Sequence, residues 1–204
     1  MSIVVLISGR GSNMQALLEA GLPVSAVISN RADAKGLAIA AAHGVVTRVV
    51  DHRGFPSRDT FDAALAQEID RFAPRLVALA GFMRVLTPAF VARYAGRLLN
   101  IHPSLLPALP GLETHARALA AGLETHGCTV HFVTEKLDHG PIVIQAEVPV
   151  RKGDTPETLA ARVLRQEHVI YPRAIRWFLD DKLVIRDGKV RVKGNDAQVL
   201  TCSD

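Results

Sequence analysis

Asn100 and His102 stand two residues apart in Leu98-Leu99-Asn100-Ile101-His102-Pro103-Ser104-Leu105-Leu106-Pro107. Leu98, Leu99 and Ile101 read as a strand covered on both faces. Along a strand, that spacing puts the carboxamide and the imidazole on one face. Pro103 pushes His102 into the extended region, and Pro107 and Pro110 stiffen the loop that follows. A carboxamide N–H can stabilise a developing oxyanion. An imidazole can give or take a proton near neutral pH. Taken alone, the two residues also fit a hydrogen-bonded core histidine and a strand-ending asparagine.

An imidazole at a strand end needs a group that fixes its tautomer and favours its charged form. Asp138, in Leu137-Asp138-His139-Gly140-Pro141, is the best-placed candidate. By itself it reads as a turn aspartate.

A second constellation is Ser8-Gly9-Arg10-Gly11-Ser12-Asn13, between a first strand and a helix. Glycines let backbone N–H groups approach a phosphate, and the helix dipole favours its charge. The dinucleotide fingerprint needs a third glycine where Met14 stands, and an acidic residue where Ser29-Asn30-Arg31 stands. No Gly-Lys-Ser/Thr follows, which excludes a Walker A loop. A phosphate monoester on a smaller molecule fits this loop best.

Alternating strand and helix patterns must position these residues. Strands are expected at Ile3–Ile7, Val24–Ser29, Val45–Val50, Leu76–Ala80 and Leu98–His102. Helices are expected at Ser12–Ala20, with Ser12 or Asn13 as N-cap, and at Lys35–His43. A long helix opens at Ser57-Arg58-Asp59-Thr60 and ends before Pro74, and Thr87-Pro88 starts a short one. That alternation predicts an α/β fold, a doubly wound, mostly parallel sheet. The pattern then changes to a helix at Thr114–Ala121 and strands at Gly127–Thr134 and Ile142–Val150, an antiparallel C-terminal extension. Thr155–Leu179 reads as a long helix kinked at Pro172. A hairpin around Asp187-Gly188 and a loose tail from Asn195 to Asp204 complete the chain. The expected organisation is one α/β domain over 1–182, then a hairpin and tail over 183–204. Within that domain, about 1–100 would bind phosphate, and about 101–182 would hold the catalytic residues.

The 204 residues are 49% hydrophobic, enough for a sizeable core, and no apolar run approaches the ~18 residues of a membrane span. The N-terminus lacks a basic region and reads as a strand rather than a signal peptide. Cys128 and Cys202 suit neither a disulfide framework nor a metal site, so a reduced, cytoplasmic setting is expected. A net charge of +4 suits anionic small substrates. The basic residues are scattered, without the dense run or aromatic interleaving of a nucleic-acid surface.

Leu99–Pro107, taken with Leu137-Asp138-x-Gly140-Pro141, resembles the folate-dependent formyltransferases. Ser8–Asn13, Ala80-Gly81-Phe82-Met83-Arg84-Val85-Leu86 and Gln166-Glu167-His168-x-Ile170-Tyr171-Pro172 narrow the likeness to the purine-pathway branch, over about Met1 to Leu179. The resemblance implies a Rossmann-like formyltransferase fold, with the half over about 101–182 binding folate. It also implies attack by the amine of glycinamide ribonucleotide on the formyl carbon of 10-formyltetrahydrofolate. It assigns Asn100, His102 and Asp138 to catalysis. Gly11, Ser12, Asn13 and Glu167 would hold the ribonucleotide. Arg58, Met83, Arg84, Val85 and Leu86, with Asn100, would contact folate. The implied partners are these small molecules, with no metal, nucleic acid or membrane, in a monomer or weak homodimer. Three residues depart from the family pattern. Arg10 and Leu164 stand where uncharged polar residues are expected, and Glu113 where histidine is common.

Three other readings compete. A 10-formyltetrahydrofolate hydrolase would use water as acceptor and usually carries an extra N-terminal domain, whereas the first strand here starts at Ile3. A methionyl-tRNA formyltransferase would need a C-terminal RNA-binding domain, whereas this chain stops at Asp204. A phosphate-binding module without activity would not need Asn100, His102 and Asp138 together.

Overall fold

Every side chain of Ile3–Ile7 (β1) is removed from water, as a strand between two helix layers requires. The computed structural model describes residues 2–202. They form two compact units, divided between Asn100 and Ile101, inside the strand Leu98–His102 (β5).

In the first unit β1 leads through the glycine turn into Ser12–Glu19 (α1). Val24–Ser29 (β2), Gly36–Ala42 (α2), Val46–Val49 (β3), Arg58–Asp70 (α3), Leu76–Leu79 (β4) and Pro88–Arg93 (α4) follow before β5. The strands are all parallel, in the order β3-β2-β1-β4-β5. From β1 the chain therefore builds outward to β3, then returns to β4 on the other side. That reversal between β1 and β4 is a topological switch point, where open parallel sheets bind ligands beyond the strands' C-terminal ends. Met14 and Leu17 of α1 and Phe61, Leu65 and Ile69 of α3 are fully or almost fully buried and supply much of this core. The edge strand β3 is largely exposed and carries Arg48, paired with Glu68 at 3.2 Å. The expected caps are present: Ser57 and Thr60 make a capping box on α3, and Thr87 caps α4 with Pro88 at its first position. The start of α1 differs from expectation. Its N-cap is Gly11, left-handed at φ 78°, and no side chain caps the helix. Ser12 is instead the first helical residue. The left-handed turn places a carbonyl, rather than a hydroxyl, at the helix start, and Gly11 O accepts from Gln15 N–H at 2.8 Å.

The second unit holds Thr114–Ala120 (α5), Thr125–Phe132 (β6), Ile142–Pro149 (β7) and Pro156–Leu179 (α6). β6 and β7 are antiparallel, as expected, although β6 begins at Thr125 and ends at Phe132. α6 is capped by a Thr155–Thr158 box and runs on through the buried Pro172. Arg162 clamps Asp154 ahead of that cap with two bonds, of 2.7 and 2.9 Å, and holds its carboxyl below the usual range. Leu183–Arg186 (β8) and Lys189–Val192 (β9) form the expected hairpin, with Asp187 and Gly188 both at positive φ. The tail is not loose throughout. Val199–Thr201 (β10) pairs in parallel with β7, and Cys202 N–H donates to Glu147 O at 3.1 Å. The free edge of β7 recruits it, and Gln198 helps by donating to Val143 O at 2.9 Å. Ser203 and Asp204, the end of the expected tail, lie outside the described residues. Among the described residues no helix is long and apolar enough to cross a membrane. Nor does any cluster of three or more His, Cys, Asp or Glu suited to a metal ion occur among them.

Candidate active site

β5 ends in the buried His102, with the half-buried Asn100 two residues earlier on the same strand. His102 Nδ1 lies 3.7 Å from Asp138 Oδ2, and both side chains are 8% exposed. The other ring nitrogen, Nε2, lies 3.1 Å from the carbonyl of Leu109. Both edges of the ring thus face oxygen acceptors, an arrangement that an imidazolium satisfies with its two N–H groups. Asp138 Oδ2 also accepts from Gly111 N–H at 2.8 Å. The carboxylate therefore holds both the ring and the loop beyond Pro110.

Sequence reasoning missed His131. Its Nε2 lies 3.9 Å from Asp138 Oδ1, and its side chain is 2% exposed. Burial pushes its titration downward more strongly than the contact with Asp138 raises it. His131 Nδ1–H donates to Phe132 O at 2.9 Å, and burial disfavours a charge on the ring.

Chain geometry explains why Asp138 reaches this place. Phe132 N–H donates to Pro141 O at 2.9 Å and closes the 133–141 loop. A Cβ on Gly140 would stand 1.6 Å from Phe132 O, so only glycine permits that closure. Asp138 itself is left-handed at φ 53°, a conformation that aspartate tolerates better than most residues. The loop after β5 is held by polar side chains of β6, β7 and α5. Thr129 donates to Ser104 O at 2.6 Å and accepts from Leu106 N–H at 3.1 Å. Gln145 donates to Leu106 O at 2.8 Å, and Thr114 to Pro103 O at 2.6 Å.

The first unit places the remaining loops. Gly9 O accepts from Gly36 N–H at 3.0 Å, and a Cβ on Gly11 would stand 2.7 Å from Gly36 Cα. Gly11 is thus fixed by packing on α2 as well as by its positive φ. Gly11→Ala is expected to cost about 1–3 kcal/mol through clash and backbone strain. A chemical-denaturation curve superimposable on wild type would contradict this. Met83 and Val85 are 68% and 52% exposed, apolar groups offered to solvent beyond β4. Arg84 stacks over Phe61, 5.6 Å from the ring centroid, one turn along α3 from the exposed Arg58. The buried Asp62 accepts from Thr87 N–H at 2.6 Å and pins the far end of this connection, just after the half-buried Leu86.

Glu167 lies on the buried side of α6, close enough to Cys128 of β6 to add to the rise in its thiol's titration that burial chiefly causes. Arg10 is exposed beside Gly11, Leu164 is half-buried on α6, and Glu113 is left-handed at φ 56° immediately before α5.

His115 of α5 and His126 of β6 meet edge to face, with Nδ1 and Nε2 3.2 Å apart. One ring must donate and the other accept, so the accepting ring is neutral. Burial lowers both, His126 to about 4 from an ordinary value of 6.5. The unfolded chain binds more protons than the folded one between those values, so this pair's stabilisation is lost as pH falls from about 6.5 to about 4. His126→Gln should flatten that part of the stability–pH curve. Urea melts in which both proteins lose stability in parallel would contradict it.

A family profile described as formyl transferase matches residues 1–175. The chain belongs to the formyl transferase family. This formyl transferase is 52% identical over 200 residues to the phosphoribosylglycinamide formyltransferase of Escherichia coli (strain K12), across 95% of this chain and 94% of that protein. It is 44% identical over 199 residues to the trifunctional purine biosynthetic protein adenosine-3 of Bos taurus, covering 95% of this chain and 19% of that longer protein. The solved phosphoribosylglycinamide formyltransferase of Coxiella burnetii, in complex with CHES, superposes with a TM-score of 0.92 at 47% identity, over 98% of each chain. The motif resemblance and the mostly parallel α/β fold thus stand, and the formyl transferase is an enzyme. Both single-function relatives are named for transfer to phosphoribosylglycinamide, which does not favour a hydrolase.

Proposed function

We propose that this formyl transferase moves the formyl group of 10-formyltetrahydrofolate to the primary amine of glycinamide ribonucleotide, in purine biosynthesis. The observation that carries the reading is the buried His102–Asp138 pair, one strand position pair beyond Asn100. The amine attacks the formyl carbon and makes a C–N bond, and the carbonyl oxygen becomes an oxyanion. Asn100 donates a carboxamide N–H to that oxyanion. The bond from carbon to the folate N10 then breaks. His102 gives N10 the proton that makes it a competent leaving group, and the proton that the attacking amine loses restores the His102 imidazolium. Its Nε2 exchanges the Leu109 carbonyl for the substrate nitrogen, while Asp138 holds Nδ1. Asp138 also stabilises the imidazolium before the proton leaves.

The substrate-binding roles belong to the same proposal. Gly11, Ser12 and Asn13, at a helix start without a side-chain cap, suit the ribonucleotide phosphate, with Arg10 adding a cation. Met83, Arg84, Val85 and Leu86 offer apolar groups and backbone to the pterin, with Arg58 toward the glutamate tail. Glu167 serves the ribonucleotide. The two cysteines, both free among the described residues, suit the reduced cytoplasm, and the expected form is a monomer or weak homodimer. Purified protein with 10-formyltetrahydrofolate tests the function. Folate release that requires glycinamide ribonucleotide supports it. Release without the amine would select hydrolysis, and no release would overturn the reading.

A further inference from the structure

Ser8, the last residue before the glycine turn, is 6% exposed and joins three segments of the first unit. Its N–H donates to Gly81 O at 3.1 Å. Its Oγ accepts from Met83 N–H at 2.7 Å and donates to Asn30 Oδ1 at 2.6 Å. A serine hydroxyl has one proton, so these two bonds fix its direction. Asn30, 2% exposed just beyond β2, is itself held, with its Nδ2 3.2 Å and its carbonyl 2.9 Å from His52 Nδ1. These contacts lie at the switch point between β1 and β4. The loop that Ser8 begins, Gly9–Asn13, is the one proposed for the ribonucleotide phosphate. The loop that it grips, Gly81–Leu86, is the one proposed for folate.

We infer that Ser8 is a positioning residue that anchors both substrate loops to one hydroxyl, so that neither loop keeps its binding geometry without it. Ser8 has no role in the chemistry. The inference rests on the proposed assignment of the two loops, while the shared anchor itself is read from the bonds. Ser8→Ala removes this partner from the part-buried Met83 N–H and the buried Asn30 Oδ1. Leaving such groups unmade weakens the geometry of whatever they hold.

The test uses Ser8→Ala, Ser8→Thr and Ser25→Ala. Ser25 donates to Ile3 O at 3.1 Å at the opposite end of the β1–β2 pair, so its loss controls for general destabilisation. In Ser8→Ala, amide exchange should accelerate about tenfold in both 9–14 and 81–87, the effect of losing a bond of ordinary strength. KM for both substrates should rise about tenfold, with kcat within about threefold of wild type. Ser25→Ala should show neither effect, and Ser8→Thr, which keeps the hydroxyl, should restore both. Acceleration confined to one loop, or one KM alone rising, would overturn the shared anchor. Should Ser8→Thr fold poorly, Asn30→Ala must reproduce the Ser8→Ala exchange pattern, and wild-type exchange in that variant would also overturn it. Joint acceleration in a wild-type protein that lacks amine-dependent turnover would keep the anchor and refute the functional reading.

Discussion

Asn100→Ala is expected to lower kcat by about 10²–10³, the range seen when one oxyanion-hole donor is removed. The two substrate dissociation constants should stay near wild type, because the carboxamide acts on charge that develops only in the transition state. Position makes the effect specific. Asn100 shares a face of β5 with His102 by strand periodicity and is half-buried where His102 is buried. Alanine keeps the strand and removes only the polar head. Single-turnover kinetics with saturating substrates would check this. A rate within threefold of wild type would remove Asn100 from the chemistry, and a rise in KM with kcat unchanged would make it a binding residue instead.

His102→Ala is expected to cost about 10²–10⁴ in turnover at every pH, the span of a lost general acid. Asp138→Asn separates charge from placement. An asparagine oxygen can still accept from Gly111 N–H, where Asp138 Oδ2 now does at 2.8 Å. What it loses is the negative charge 3.7 Å from His102 Nδ1. Burial disfavours a charge on His131, the other imidazole beside Asp138. Turnover should therefore fall while the 109–113 loop stays in place, which amide exchange of Gly111 can report. Full activity in Asp138→Asn would show that the carboxylate only ties down the loop.

Much of this molecule is written locally in its chain. Ser57, Thr60, Thr87, Pro88, Thr155 and Pro156 announce helix starts because capping is settled within a few residues. The apolar runs of β1, β4 and β5 announce strands buried on both faces. Other features need contacts from far along the chain. Val199–Thr201 is too short to read as a strand, and only the edge of β7 makes it one. Ser12 resembles a cap, but the close approach of Gly11 to Gly36 sets the turn one residue earlier. Thr129 and Gln145 look like ordinary polar strand positions until the loop after β5 is laid against them. His131 becomes significant only when the carboxylate of Asp138 lands beside it. The one-face spacing of Asn100 and His102 and the turn at Asp138 were legible as local signals, but only the likeness of their motifs to the formyltransferases joined them into one candidate site. The second histidine beside Asp138 and the shared grip of Ser8 were not legible.

The fate of the formyl carbon tests the reaction most directly. The protein would be given 10-formyltetrahydrofolate labelled with ¹³C in the formyl group, together with glycinamide ribonucleotide, and followed by carbon NMR. The predicted result is a formamide resonance on the ribonucleotide that grows as the donor signal falls, and that nearly vanishes over the same time with His102→Ala. Label appearing as free formate, at a rate indifferent to the ribonucleotide, would contradict transfer to the amine.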